Sequence, residues 1–198
     1  MKKASLVKCM ALLIGSALPI IAFAQNPSDG GAVVNQSIAL KVNGSAMLAV
    51  YNTNANAGSS TAVSMSLSGA TQAGAAVMDE ASNSDTRLRI SSLVESGKTR
   101  TITASIAPAI TNTGTQFFVK LDKPANFLPS VDNGGTPASE LELTDGTSKT
   151  IVTDITTCWS GFASTDGYKV TYRYAKKANA TFLQSQNIII TYTITAEG

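Results

Sequence analysis

From about residue 34 to its end, this chain repeats with a period of two. Ser37-Ile38-Ala39-Leu40-Lys41-Val42 alternates, as do Val63-Ser64-Met65-Ser66-Leu67-Ser68 and Arg87-Leu88-Arg89-Ile90. Thr101-Ile102-Thr103-Ala104-Ser105-Ile106, Tyr168-Lys169-Val170-Thr171-Tyr172-Arg173-Tyr174 and Ile188 to Ile194 continue the pattern. Successive side chains of a strand point to opposite faces, so this spacing buries one face and wets the other. The Thr, Val, Ile and Tyr that fill these runs suit a pleated, half-buried surface. Helical spacing is nearly absent, with one helical turn predicted over Met78 to Ser82. About ten short strands predict an all-β antiparallel sandwich of the Ig-like, Greek-key type, with a barrel as the alternative. An outer-membrane barrel is a further architecture to weigh, but 6% aromatic residues are few for interfacial girdles.

Residues 1–24 have the layout of a secretory signal. Lys2, Lys3 and Lys8 form a basic start, an apolar run extends from Met10 to Ala24, and Ala22-Phe23-Ala24 gives the small-x-small cleavage pattern. The run falls short of the roughly 20 apolar residues of a membrane helix, so a cleaved leader and a mature chain without a transmembrane span are expected. Residues 25–33 read as a polar leader and 34–198 as a single domain, with Asn52 to Thr61 a polar loop inside it.

Cleavage changes the charge. Losing the three signal lysines takes the 15 basic residues to 12, against 13 acidic ones. A near-neutral chain with 14% charged residues lacks the electrostatic footprint of a nucleic-acid binder. Lys149, Lys169, Arg173, Lys176 and Lys177 bias the last third towards positive, as solvated strand faces or guarded edges do. The chain has no histidine. Ser-His-Asp and Cys-His nucleophile systems are therefore excluded, and so are the usual zinc ligand sets. No catalytic residue, metal ligand or cofactor site is predicted. Cys158 is the one cysteine of the mature chain, so an internal disulfide is excluded and an intermolecular one is the thiol's covalent option.

Turn chemistry gives two local expectations. Asp145-Gly146 between Leu141 and Lys149 predicts a type I′ hairpin that sets Glu142 opposite Lys149. Asn133-Gly134-Gly135 and Asp166-Gly167 mark further turns. The last strand, Asn187 to Thr195, carries apolar residues on both faces through Ile189, which predicts a place in or near the middle of a sheet.

The segment Thr157 to Gly167 holds the only tryptophan. Trp159 and Phe162 are the candidate contacts for a partner or a sugar ring. The competing reading has Trp159 plugging one end of the sandwich and Cys158 as a small buried apolar residue. Tyr168, Tyr172 and Tyr174 share one strand face and with Tyr192 form either an aromatic surface or core. Asp79 and Glu80, adjacent on the chain, would face opposite ways on a strand and make no acid–base pair. The Asp-Gly loops lack calcium-loop spacing.

Thr150-Ile151-Val152-Thr153-Asp154-Ile155, the Cys158 loop, Gly167-Tyr168-Lys169-Val170-Thr171-Tyr172 and the closing Thr191-Tyr192-Thr193-Ile194-Thr195 resemble a block found in small exported bacterial β-sandwich proteins. The resemblance covers about the last 50 residues, and the proteins it points to are similar in general character to fimbrial subunits and spore-coat-U-like secreted proteins. It brings no enzyme activity. The paired cysteines usual in chaperone–usher pilins are missing, so their donor-strand assembly does not come with it. Together these features predict a non-catalytic structural or adhesive surface protein, exported to the periplasm, cell surface or medium. Its expected partner is another copy of itself, a surface protein or a glycan. A soluble carbohydrate- or ligand-binding module using the Trp159 loop is the alternative.

Overall fold

The computed structural model describes residues 37–53, 62–70, 72–75, 80–111, 114–177 and 186–195. The chain divides into two units, Met1–Lys41 and Val42–Gly198. The leader and the signal segment lie outside the described residues. In the first unit, Ile38 and Leu40 are 72% and 91% exposed, and no strand includes them. The period of two in Ser37 to Val42 therefore marks a segment with strand chemistry and no strand partner, where the sequence predicts a paired strand.

Among the described residues of the second unit ten strands run β1 Ser45–Asn52, β2 Glu80–Leu93, β3 Arg100–Ala107, β4 Thr115–Asp122, β5 Gly134–Pro137, β6 Leu141–Glu142, β7 Lys149–Ile155, β8 Cys158–Trp159, β9 Tyr168–Lys176 and β10 Ile189–Ile194. They form two antiparallel sheets, β1-β2-β9-β4-β6 with β8 also on β2, and β10-β3-β7-β5. In four of the six alternating runs the alternation read from the sequence is the alternation of a strand. Leu88, Ile90, Val119, Leu121, Val170 and Tyr172 point inward from the first sheet and meet Ile102, Ala104, Ile106, Val152 and Ile155 from the second. In β7 both Ile151 and Val152 are buried, and the ladder with β3 shifts register there to accommodate two inward residues in succession. A single 3₁₀ turn, Val131–Asn133, is the helical element among the described residues.

Four expectations are corrected. Glu80 to Ser82 open β2 rather than a helical turn, because their partner β9 extends to that end; Met78 and Asp79 lie outside the described residues. Val63 and Met65 keep their inward side and pack on the core, but Val63 to Ser68 joins no ladder. The Asp145-Gly146 hairpin does not form. β6 pairs with β4 in one sheet and β7 with β3 in the other, so the chain there crosses between sheets. Neither Asp145 nor Gly146 has positive φ, which a type I′ turn requires. The Asp145 carboxylate instead accepts from the Thr147 N–H at 2.8 Å, and Lys149 Nζ donates to the Glu142 carbonyl at 2.6 Å.

The last strand is an edge. β10 has β3 as its one strand neighbour among the described residues. Its inward residues Ile190, Tyr192 and Ile194 pack on the core while Ile189 is 71% exposed. Core cover on a single face suffices for this strand, since its outer face is completed by Thr191 and Thr193. At the opposite flank both sheets end in short pieces, the four-residue β5 closing on Pro137 and the two-residue β6.

Candidate functional site

The Trp159 region is built from the backbone outward. Trp159 exchanges both hydrogen bonds with Leu128, at 3.0 and 3.1 Å, and is paired on its other side with Ser91 of β2. Ser91 in turn faces Met47 of β1. Residues directly opposite across antiparallel strands share a face. Met47, Ser91, Trp159 and Leu128 therefore form one transverse row on the outer face of the first sheet. The row is apolar and open: Met47, Trp159 and Leu128 are 70%, 46% and 49% exposed.

The loop that follows is pinned from beneath. Ser160 is buried; its N–H donates to the Ile90 carbonyl at 3.0 Å, and its hydroxyl accepts from the Ile90 N–H at 3.1 Å. Asp166 accepts from the Ala163 N–H at 2.7 Å and from Asn126 Nδ2 at 2.6 Å. Gly161 lies against that carboxylate with φ of +88°, and a Cβ there would come 2.3 Å from Asp166 Oδ2. This framework leaves Phe162 at the surface with 92% of its area exposed.

Beside the apolar row lies a cationic one. Tyr51, Arg87, Lys169 and Asp122 face one another across β1, β2, β9 and β4. Arg89 stands between the two rows, its guanidinium 4.2 Å from the Tyr51 ring centroid and donating to the Ala163 carbonyl at 2.7 Å. Arg87 donates to the Ser84 and Thr86 carbonyls at 3.1 and 3.2 Å. Ion pairs form elsewhere, at Lys120–Asp122 (2.8 Å), Lys177–Glu142 (3.9 Å) and between Arg173 and both Glu80 and Glu140. None of them engages Arg87, Arg89 or Lys169.

The remaining candidates fall inside the protein. Cys158 is 1% exposed, and burial pushes its thiol up to about 11. A disulfide to another chain would require β8 to open. Tyr168 and Tyr172 line the core, with Tyr174 packed against it, so the tyrosine face is interior. The Tyr172 and Tyr192 hydroxyls meet at 3.0 Å between the sheets, and burial raises both phenols. The Tyr168 hydroxyl donates to the Gly134 carbonyl. Glu80 and Glu140 do converge, but on Arg173, whose guanidinium also lies 4.0 Å over Phe118. Hydrogen bonding to Arg173 lowers the Glu140 carboxyl, which holds it as an anion. Among the described residues no group of three or more His, Cys, Asp or Glu gathers to hold a metal, and no helix is long and apolar enough to cross a membrane.

No protein-family model, curated protein or solved structure matches this chain. Of the exposed residues on this face and its loop, Trp159 and Phe162 are legible from the sequence as the lone tryptophan and a phenylalanine among loop formers. Met47, Leu128 and the Arg87–Lys169 pair are not, since only register brings them there.

Proposed function

We propose that the chain is an exported structural subunit of a surface assembly, joined to its own copies by strand addition. One observation carries this reading: Ile38, Leu40 and Val42, spaced by two, are 72%, 91% and 81% exposed, while among the described residues β10 and β1 end their sheets with a neighbour on one side only. An extended segment with one apolar face completes an open sheet edge through main-chain hydrogen bonds, with its alternate side chains entering the gap. The inner face of β1 supports such a gap, since Val50 points inward opposite Leu88 yet is 38% exposed. The signal-like layout of residues 1–24 supports export. Light scattering after size exclusion tests the assembly on residues 25–198. Oligomers are expected from the parent chain, and monomers from Ile38→Asp/Leu40→Asp. A parent chain that stays monomeric at high concentration would sink the reading.

A second reading, a ligand-binding module, is favoured by the open Trp159 and Phe162 side chains. It predicts that Trp159 emission shifts when a glycan ligand binds, and a broad glycan panel that leaves the emission unchanged would count against it.

A further inference from the structure

We infer that the outer face of the first sheet binds a polysaccharide whose sugars carry carboxylates, an inference that rests on the ligand-binding reading above and names its ligand class. Shape is the first argument. Small ligands sit in concave pockets; two hollows of about 190 and 270 Å³ lie beside Phe117 and Glu95, away from Trp159 and Phe162. The Trp159 face is a sheet surface, suited to an extended chain. Ser91 and Arg87 are four residues apart on β2, so the apolar and cationic rows are separated by about 13 Å. A ligand reaching both is longer than one sugar ring.

Charge supplies the second argument. Among the described residues, Arg87, Arg89 and Lys169 stand on this face with no acidic partner, while the described acidic side chains nearby are engaged by other groups. Asp122 is held by Lys120 and Asp85 by the Asn83 amide. Asp166 is turned into the loop. A face whose described carboxylates are engaged, and whose arginines bond only to carbonyls and a ring, is complementary to an anion. A guanidinium fork and a carboxylate are planar groups that match in two parallel hydrogen bonds. The aromatic members fit the apolar faces of sugar rings, with Trp159 half-open and Phe162 fully so. Three cations without an acidic partner give a local field and not the basic stripe of a nucleic-acid groove.

The test is titration of residues 25–198 with polygalacturonate, neutral dextran, phosphatidylglycerol vesicles and an oligothymidylate, reading Trp159 emission and calorimetric heat. Polygalacturonate is expected to bind, and to weaken about tenfold or more between low and 0.5 M salt as the Debye length shrinks. Arg87→Gln/Lys169→Gln should lower its affinity about tenfold, as should Phe162→Ala, which removes a fully open ring and leaves the fold intact. Unchanged thermal melting of both variants ties those losses to the face. Equal binding of dextran, or polygalacturonate binding indifferent to the double variant, overturns the carboxylate assignment while leaving the ligand-binding reading in place. Binding of vesicles or oligothymidylate alone overturns it in favour of another partner class. Silence with all four probes removes the inference, and the ligand-binding reading beneath it then stands or falls on the broad glycan panel.

Discussion

Asp166 shows how much one side chain decides at the candidate face. Its two oxygens hold the Ala163 N–H and the Asn126 amide, and the residue is nearly buried. Asp166→Ala leaves both donors short of a partner. Hydrogen bonds to a charged group contribute about 2 kcal/mol, so a loss of roughly that size is expected in urea unfolding, with faster proteolysis at Phe162. Gly134 is constrained more simply, since a Cβ there would sit 2.4 Å from the Phe127 ring. Gly134→Ala should cost about 2 kcal/mol by overpacking, read as a lower thermal midpoint. Cys158 gives a pH prediction. Burial moves its thiol from 9.0 to about 11, which favours the neutral form in the folded state. That contribution is whole below the unfolded value and is lost as pH rises from 9.0 towards about 11. The parent should therefore lose more stability across that window than Cys158→Ala does, and its thiol should resist alkylation at neutral pH until the chain is unfolded.

At the scale of strands, four of the six alternating runs fold as strands, while those at Ser37 and Val63 do not. The alternating runs beginning at Arg87, Thr101, Tyr168 and Ile188 fall in β2, β3, β9 and β10, because inward and outward sides are written in every second residue. What a strand pairs with is not written there. Asp145-Gly146 reads as a hairpin from turn chemistry alone, but β6 and β7 each find a better partner at a distance, in different sheets. Glu142 and Lys149 still meet, by a Lys149 ammonium reaching the Glu142 carbonyl, so the proximity was legible and its cause was not. The same limit hid most of the outer face: nothing in the local sequence of Leu128 or Met47 announces a shared row with Trp159. Register also ties β10 down. Tyr192 reaches Tyr172 across the core at 3.0 Å, and Arg100 donates to the Thr195 carbonyl at 2.9 Å. Tyr192→Phe should cost about 1 kcal/mol, and hydrogen exchange should show the loss first at β10 and its β3 partners.

For the sandwich as a whole, the two flanks are unlike. One carries the long edges β1 and β10, which touch each other; the other ends in β5 and β6, too short and, at Pro137, too poor in donors to extend a sheet. If copies join as proposed, the giving element and the receiving edge are different parts of the molecule. Such a contact is heterologous, and unless its rotation happens to close a ring it continues without end. The product then has polarity: one terminus offers a bare edge and the other an unspent segment. Growth would proceed along a line rather than spread into a plate, because the Pro137 flank offers nothing to branch from. Its length would be set by whatever first occupies the open edge with something other than another copy.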